Sequence, residues 1–293
     1  MAARVGIIGG SGLYQMEGLR DLREVSVETP FGETSDAILL GVLEGVPVAF
    51  LSRHGRGHRW LPSEVPYRAN LWALKSLGVE RIFSVSAVGS MKEEVRLGVP
   101  VLVDQFIDRT VQRASTFFGQ GVVAHVSMAD PVCPALRGLL LDAARRLSIE
   151  VVPRGTYLCI EGPQFSSRAE SLTYRQAGVD LIGMTNATEA KLAREAEICY
   201  TTVAIPTDYD CWHESEEDVS VEAVIRRLEQ GIGVAKALIR GALAHLGEAG
   251  PCRCREALAG AVMTRPDRIP PEARRRLSLL LDHRLPAPPE EVP

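Results

Sequence analysis

Two aspartates, Asp208 and Asp210, close an apolar run at 198–206 and stand two apart in the stretch 207–212, TDYDCW. A run of that kind reads as a buried strand, and side chains two apart on an extended chain point the same way. The pair then faces one spot at a strand end, where open α/β sheets bind ligands. Two carboxyls there accept hydrogen bonds from an amino group, and one of them, when protonated, donates to a ring nitrogen. Recognising a 6-aminopurine, and protonating it as it leaves, needs that combination. The plain alternative is a solvated turn, since acids in exposed turns are common.

Four further segments carry donors where strands are expected to end. GGSG at 9–12 offers backbone N–H groups and the Ser11 hydroxyl to an oxyanion. It is neither a dinucleotide fingerprint nor a Walker loop, because the third glycine and the lysine are missing. SRHGRGH at 52–58 gathers Arg53, His54, Arg56 and His58 in one loop. Arginine is the natural fork for phosphate and histidine adds a donor. The two histidines come with no carboxylate or thiol ligand set nearby, so no metal is expected there. SVSAVGS at 84–90 supplies hydroxyls, Ser86 among them, on a small-residue turn. GMTNATEA at 183–190 ends a strand and begins a helix at Thr185 and Asn186, the dipole end that favours anions. Each segment alone also reads as an ordinary turn or basic loop.

The elements that must position these residues follow from the hydrophobic pattern. Strands are expected at 5–10, 81–90, 99–110, 180–185 and 198–206, with a hairpin from 26–32 through 37–55 and a strand pair at 151–162. Helical periodicity marks 67–78, 134–148, 167–178, 187–197 and 220–247, the last with internal glycines as a place to bend. Strands alternating with helices predict an α/β fold, a single domain with a twisted mixed central sheet flanked by helices. Residues 1–249 form the expected body, and 250–293 a C-terminal extension packing on it.

Composition narrows the class. The 293 residues are 46% hydrophobic and 24% charged, ordinary for a soluble globular chain, and the formal charge of −4 argues against a general nucleic-acid binder. No apolar stretch reaches the length of a membrane span and no export signal is evident, so a cytoplasmic protein is expected. Six cysteines are present, none at zinc-knuckle spacing. Cys252 and Cys254 form a C-x-C pair that reads either as a strained disulfide or as two reduced thiols in a turn.

Taken in order, GIIGGSGLY, TPFG, SRHGRGH, PYRANLWALKSLG, DQFIDRT, IEGPQFSSRAES, GMTNATEAKLAREAEICY and TDYDCW resemble the trimeric purine nucleoside phosphorylase superfamily, and within it the members acting on methylthioadenosine. The match runs through about residues 5–247; the C-terminal segment carries less of it, although its C-x-C resembles that of thermophile-type members known for disulfides. The resemblance implies phosphorolysis of S-methyl-5′-thioadenosine to adenine and S-methyl-5-thio-α-D-ribose 1-phosphate, with some activity on adenosine. It implies no metal and no organic cofactor, with inorganic phosphate as co-substrate, and a homotrimer or a dimer of trimers. Phosphate would be held by Ser11, Arg53, His54, Ser86, Ala87 through its backbone, and Thr185. Serine stands at 11 and 86 where eukaryotic members commonly carry threonine, and either hydroxyl can donate. Met184 would pack on the ribose, Phe165 would stack near the base, and Val221, Val224 and Ile225 would face the methylthio group. His125 would reach a neighbouring subunit's methylthio pocket. Asp208 and Asp210 would read the 6-amino group and N7, where relatives preferring 6-oxopurines usually carry an asparagine. The rival readings are a 6-oxopurine or methylthioinosine phosphorylase, a hydrolase, and a purine-nucleoside-binding protein without turnover.

Overall fold

Ten strands form one sheet: β1 (Val5–Gly9), β2 (Arg20–Val25), β3 (Ile38–Leu43), β4 (Val46–Ser52), β5 (Arg81–Ser90), β6 (Val101–Leu102), β7 (Gln105–Asp108), β8 (Thr156–Cys159), β9 (Leu181–Gly183) and β10 (Cys199–Asp208). Here the computed structural model describes residues 3–14, 16–213 and 221–286. The sheet runs β2-β3-β4-β1-β5-β9-β8-β7, with β10 paired to both β5 and β6. Strands β4, β1, β5 and β10 are parallel, while β2, β3 and the β5–β9 and β6–β10 junctions are antiparallel, so the sheet is mixed.

The central strands read as continuous apolar runs because both their faces are covered. Every residue of β1 is buried, and its side chains alternate between two cores: Ile8 joins one, Val5 and Ile7 the other. Helices α1 (Tyr67–Ser76) and α4 (Asn186–Glu195) supply the first core, through Leu71, Trp72, Leu192 and Ala193. Helices α2 (Pro134–Arg146) and α5 (Val221–Ala244) supply the second, through Leu139, Leu140, Leu238 and Ile239. Helix α3 (Arg168–Gln176) opens on a full capping box between Ser167 and Glu170. The outer strand β2 is largely exposed and rich in charge, which blunts an unpaired edge.

The α/β class and the mixed sheet agree with the sequence pattern; several boundaries do not. No strand forms at 26–32. The hairpin is β3–β4, turning on Glu44 and Gly45, both at positive φ (50° and 76°), as a two-residue hairpin turn requires. The run 99–110 splits into β6 and β7, and 151–162 yields β8 plus a single bridge from Val152 to Val101. Gly231 serves close packing within an unbroken α5: a Cβ there would come within 2.4 Å of Ile205 on β10.

Past residue 250 the chain folds back onto the body. Ile269, Ala273 of α6 (Pro271–Arg276), Leu277, and Leu280 and Leu281 of α7 (Ser278–Leu281) enter the same core as α1, and Cys254 enters the other. Glu197, itself buried, ties this segment down by accepting from Leu258 N–H (3.0 Å) and from Arg284 Nε (3.1 Å).

Candidate active site

Parallel strands ending side by side leave a crevice beyond their carboxyl ends. The residues after β1 and β4 meet there, since Arg53 N–H donates to the Gly9 carbonyl over 3.0 Å. Ser11 opens a short 3-10 turn, Ser11–Tyr14, directly after β1; its side chain lies outside the described residues.

Arg53 is buried, and its guanidinium is largely committed to the protein. Nε donates to Glu189 Oε1 at 2.5 Å, Nη2 to Glu189 Oε2 at 3.2 Å and to Ser84 Oγ at 2.6 Å, and Nη1 to the Val85 carbonyl at 3.0 Å. Of five N–H bonds, one on Nη1 has no partner among the described residues. Burial opposes the charge, but the Glu189 carboxylate outweighs it and raises the guanidinium's pKa further. The open fork expected from the sequence is therefore a pinned guanidinium with one hydrogen to offer.

His54 departs from expectation in a sharper way. Its Nδ1 lies 2.8 Å from the Trp60 carbonyl, which can only accept, so Nδ1 carries the proton. Burial, followed by the Arg53 charge, lowers the imidazole to about 4, so the ring is neutral near pH 7. Its Nε2 is then an acceptor rather than the donor anticipated, suited to a hydroxyl or to the proton of a monohydrogen phosphate. The ring stacks on His58 at 4.3 Å. Arg56 takes no part in this cluster; it is exposed and paired to Asp36 and Glu24.

Across the crevice, Thr185 precedes α4 and is buried, with Oγ1 3.0 Å from Asn186 Oδ1. Asn186 Nδ2 donates to Ser84 Oγ (2.9 Å), Tyr200 OH (2.8 Å) and Thr202 Oγ1 (3.1 Å), and Tyr200 OH donates to Glu189 Oε2 at 2.8 Å. Glu189 and Tyr200 were missed in the sequence, and Ser84 and Asn186 entered there only as members of donor-rich segments. The available signal was polar residues at i and i+3 on the first turn of a helix whose neighbours are apolar or small. Ser86 and Ala87 sit on β5, with Ser86 Oγ turned onto the Ala87 carbonyl at 3.1 Å.

The acids lie at the end of the neighbouring strand, β10. Asp208 is the last residue of β10 and pairs with Gly89 of β5 after a register shift. Asp210 lies beyond the strand at φ 51°, so the two carboxyls do not share an extended face as the spacing suggested. A turn brings them together instead: Asp210 N–H donates to Asp208 Oδ1 at 2.9 Å. Burial, and then the Asp210 charge, raise the Asp208 carboxyl above its ordinary range, against hydrogen bonds from Thr207 and Asp210. Burial likewise raises Asp210; Ser166 and Ser171 lie near enough to offset part of this. Yet Asp210 Oδ2, Ser166 Oγ and Ser171 Oγ are all buried without a hydrogen-bond partner. Three unpartnered polar atoms in one place are what a bound polar ligand would satisfy.

Around this axis, Met184 packs against Gly162, where a Cβ would meet Sδ at 2.5 Å. Arg113 holds that corner, donating to the carbonyls of Met184 and Glu161 and, at 2.8 Å, to Glu161 Oε1. Phe165 is 45% exposed and so is not a core side chain. Val224 is half-buried and Ile225 exposed on α5, which packs on β10; the Val221 side chain lies outside the described residues. His125 is exposed and lies elsewhere, lining a cavity of about 870 Å³ with Asp104, Cys252 and Cys254.

The model of the phosphorylase superfamily matches residues 4–244, and the chain belongs to that superfamily. Within it, the chain stands among proteins named S-methyl-5′-thioadenosine phosphorylase. That of Geobacter sulfurreducens is 57% identical over 94% of this chain and 97% of its own, and that of Koribacter versatilis 53% over 96% of each. A crystal structure of methylthioadenosine phosphorylase from an antarctic soil metagenomic library superposes with a TM-score of 0.90 at 53% identity, covering 96% of this chain and 99% of that one. The Schistosoma mansoni methylthioadenosine phosphorylase in complex with tubercidin gives 0.79 at 37% identity, over 87% and 95%. Among the described residues no helix is long and apolar enough to cross a membrane.

Proposed function

We propose that this protein catalyses phosphorolysis of S-methyl-5′-thioadenosine, with inorganic phosphate held by Arg53, His54, Ser86, Ala87, Thr185 and Ser11, and adenine read by Asp208 and Asp210. The supporting observation is a spacing on β5. Ser86 beside the Arg53 cluster and Gly89 beside the two acids are three residues apart, about 10 Å on an extended strand. A purine ribonucleoside laid along β5 spans that interval, with its sugar between anion and acid.

In this reading a phosphate oxygen attacks C1′ as the C1′–N9 bond breaks, and the bonding pair passes to the purine. Asp208, whose carboxyl burial raises above its ordinary range, serves as the acid that gives a proton to N7 and is left as the carboxylate. Thr207 Oγ1 has two acceptors in reach, Asp208 Oδ2 at 2.8 Å and the Val88 carbonyl at 3.3 Å, so it can follow the proton's departure. Asp210 Oδ2 accepts from the 6-amino group. The pinned guanidinium orients the nucleophile and keeps its charge beside the cationic sugar. Met184 packs on the ribose, Phe165 stacks near the base, and Val221, Val224 and Ile225 receive the methylthio group. An apolar pocket of that kind does not strongly exclude a hydroxyl, so adenosine is a slower substrate. The chemistry calls for no metal and no organic cofactor. His125 contributes from a neighbouring subunit of a trimer, since in its own chain it stands at a different cavity.

Initial rates with methylthioadenosine, methylthioinosine and adenosine, each with and without phosphate, test the proposal. Phosphate-dependent release of adenine from the first is expected. Preference for methylthioinosine, or turnover without phosphate, overturns it.

A further inference from the structure

The sulfur atoms of Cys133, Cys199, Cys252 and Cys254 all lie within 4.8 Å of one another, although no pairwise spacing along the chain signals a metal motif. The fold assembles them from three places. Cys133 caps α2, Cys199 opens β10, and Cys252 and Cys254 follow α5. All six cysteines of the chain are free thiols, and Cys199 Sγ lies 3.4 Å from Cys252 Sγ. A tetrahedron of sulfurs about zinc, with Zn–S of about 2.3 Å, has edges of about 3.8 Å. The spread of the four sulfurs, one pair at 3.4 Å and all within 4.8 Å, brackets that edge length.

The surroundings suit a thiolate centre. Cys133, Cys199 and Cys254 are buried in an apolar core, and partly exposed Cys252 faces the 870 Å³ cavity, which gives an entry path. Two donors already point at sulfur. Leu136 N–H lies 3.4 Å from Cys133 Sγ at the α2 N-terminus, and Arg194 Nη1 lies 3.7 Å from Cys254 Sγ. Such outer donors orient ligands and offset the negative charge of four thiolates on one dication.

We propose that these four cysteines form a structural site for a soft divalent cation of the zinc type. The ion displaces four thiol protons to solvent and binds four sulfurs, leaving no open position for substrate or water. The site pins the segment after α5 to α2 and to the start of β10. It is independent of the chemistry at the other end of that strand: Cys199 and Asp208 are nine residues apart, about 30 Å on an extended chain.

The test uses the full-length protein, fully reduced and stripped of metal by a chelator under anaerobic conditions, with cobalt(II) as probe. One equivalent per chain is expected to give the intense visible bands of a tetrahedral thiolate complex, which zinc then bleaches. The Cys252→Ser/Cys254→Ser double variant is expected to lose those bands and to keep phosphorolysis. Zinc should raise the melting temperature of the wild-type protein and not of the variant. Four reactive thiols with no cobalt band would overturn the proposal. So would protein isolated with an intact mass short by two hydrogens per sulfur pair that, once reduced, takes up no metal; that outcome assigns the cluster to disulfides.

Discussion

The backbone amide of Asp210 donates to the carboxylate of Asp208 over 2.9 Å, so the two acids are locked in one turn. The turn lies against Gly89, and Asp208 Oδ1 sits 2.9 Å from where a Cβ at residue 89 would stand.

Replacing Asp208 with asparagine removes the transferable proton and keeps an acceptor for the Asp210 amide. Turnover of methylthioadenosine should fall by about 10²–10⁴-fold. The melting temperature should change little. Adenine release followed in a coupled assay measures this, and an unchanged rate removes the acid from the mechanism.

Gly89→Ala tests the turn from the strand beneath it. The new Cβ would stand 2.9 Å from Asp208 Oδ1 and 2.8 Å from Ile182 Cγ2. Overpacking of this kind costs about 1–3 kcal/mol. The expected signature is a lower kcat with the KM for phosphate unaltered, because the Arg53 cluster lies three residues back along β5.

Glu189→Gln addresses the counter-charge. Both Glu189 oxygens accept, from Arg53, Ser84 and Tyr200, and the pair is buried. Loss of one partner of a buried pair costs about 3–5 kcal/mol, because the other charge is left uncompensated. Chemical denaturation should show that loss, and surviving activity should carry a raised KM for phosphate against a nearly constant KM for nucleoside.

Glu195 predicts a pH dependence of stability. Burial raises its carboxyl from 4.5 to about 7, despite hydrogen bonds from Thr116 Oγ1 and Phe117 N–H. The folded state therefore holds a proton that the unfolded chain releases earlier. That contribution is complete below about 4.5 and is lost as pH rises through about 7. Measured against Glu195→Gln, which cannot ionise, the wild-type protein should lose about 3 kcal/mol of relative stability over that interval. A difference that stays flat across the interval contradicts the assignment.

Much of this was legible from the residues alone. Long apolar runs such as 198–206 announced strands, and donor-rich loops marked where those strands end. What stayed hidden depended on partners distant in the chain. Arg53 looks like an open phosphate fork until Glu189, 136 residues away, is found on it. His54 looks like a donor until the Trp60 carbonyl fixes its tautomer. The apolar run placed Asp208 at a strand end, where β10 does end, but the convergence with Asp210 comes from a left-handed residue at 210, which a strand period cannot foresee. The four sulfurs could not be read as a group at all, since 66 residues separate Cys133 from Cys199 and 53 separate Cys199 from Cys252, far beyond any local motif.

The pairing of Arg53 with Glu189 has a consequence for selectivity. A cleft whose cation is already cancelled exerts little long-range pull, so nucleic acids and other polyanions are not drawn towards it, and background electrolyte has little to screen. An incoming oxyanion must be recognised at close quarters, by the shape of its oxygens and the protons it carries. With phosphate assigned to this cluster as proposed, the sugar phosphate product is held by the same short-range grip, and can leave without first escaping a net attractive field.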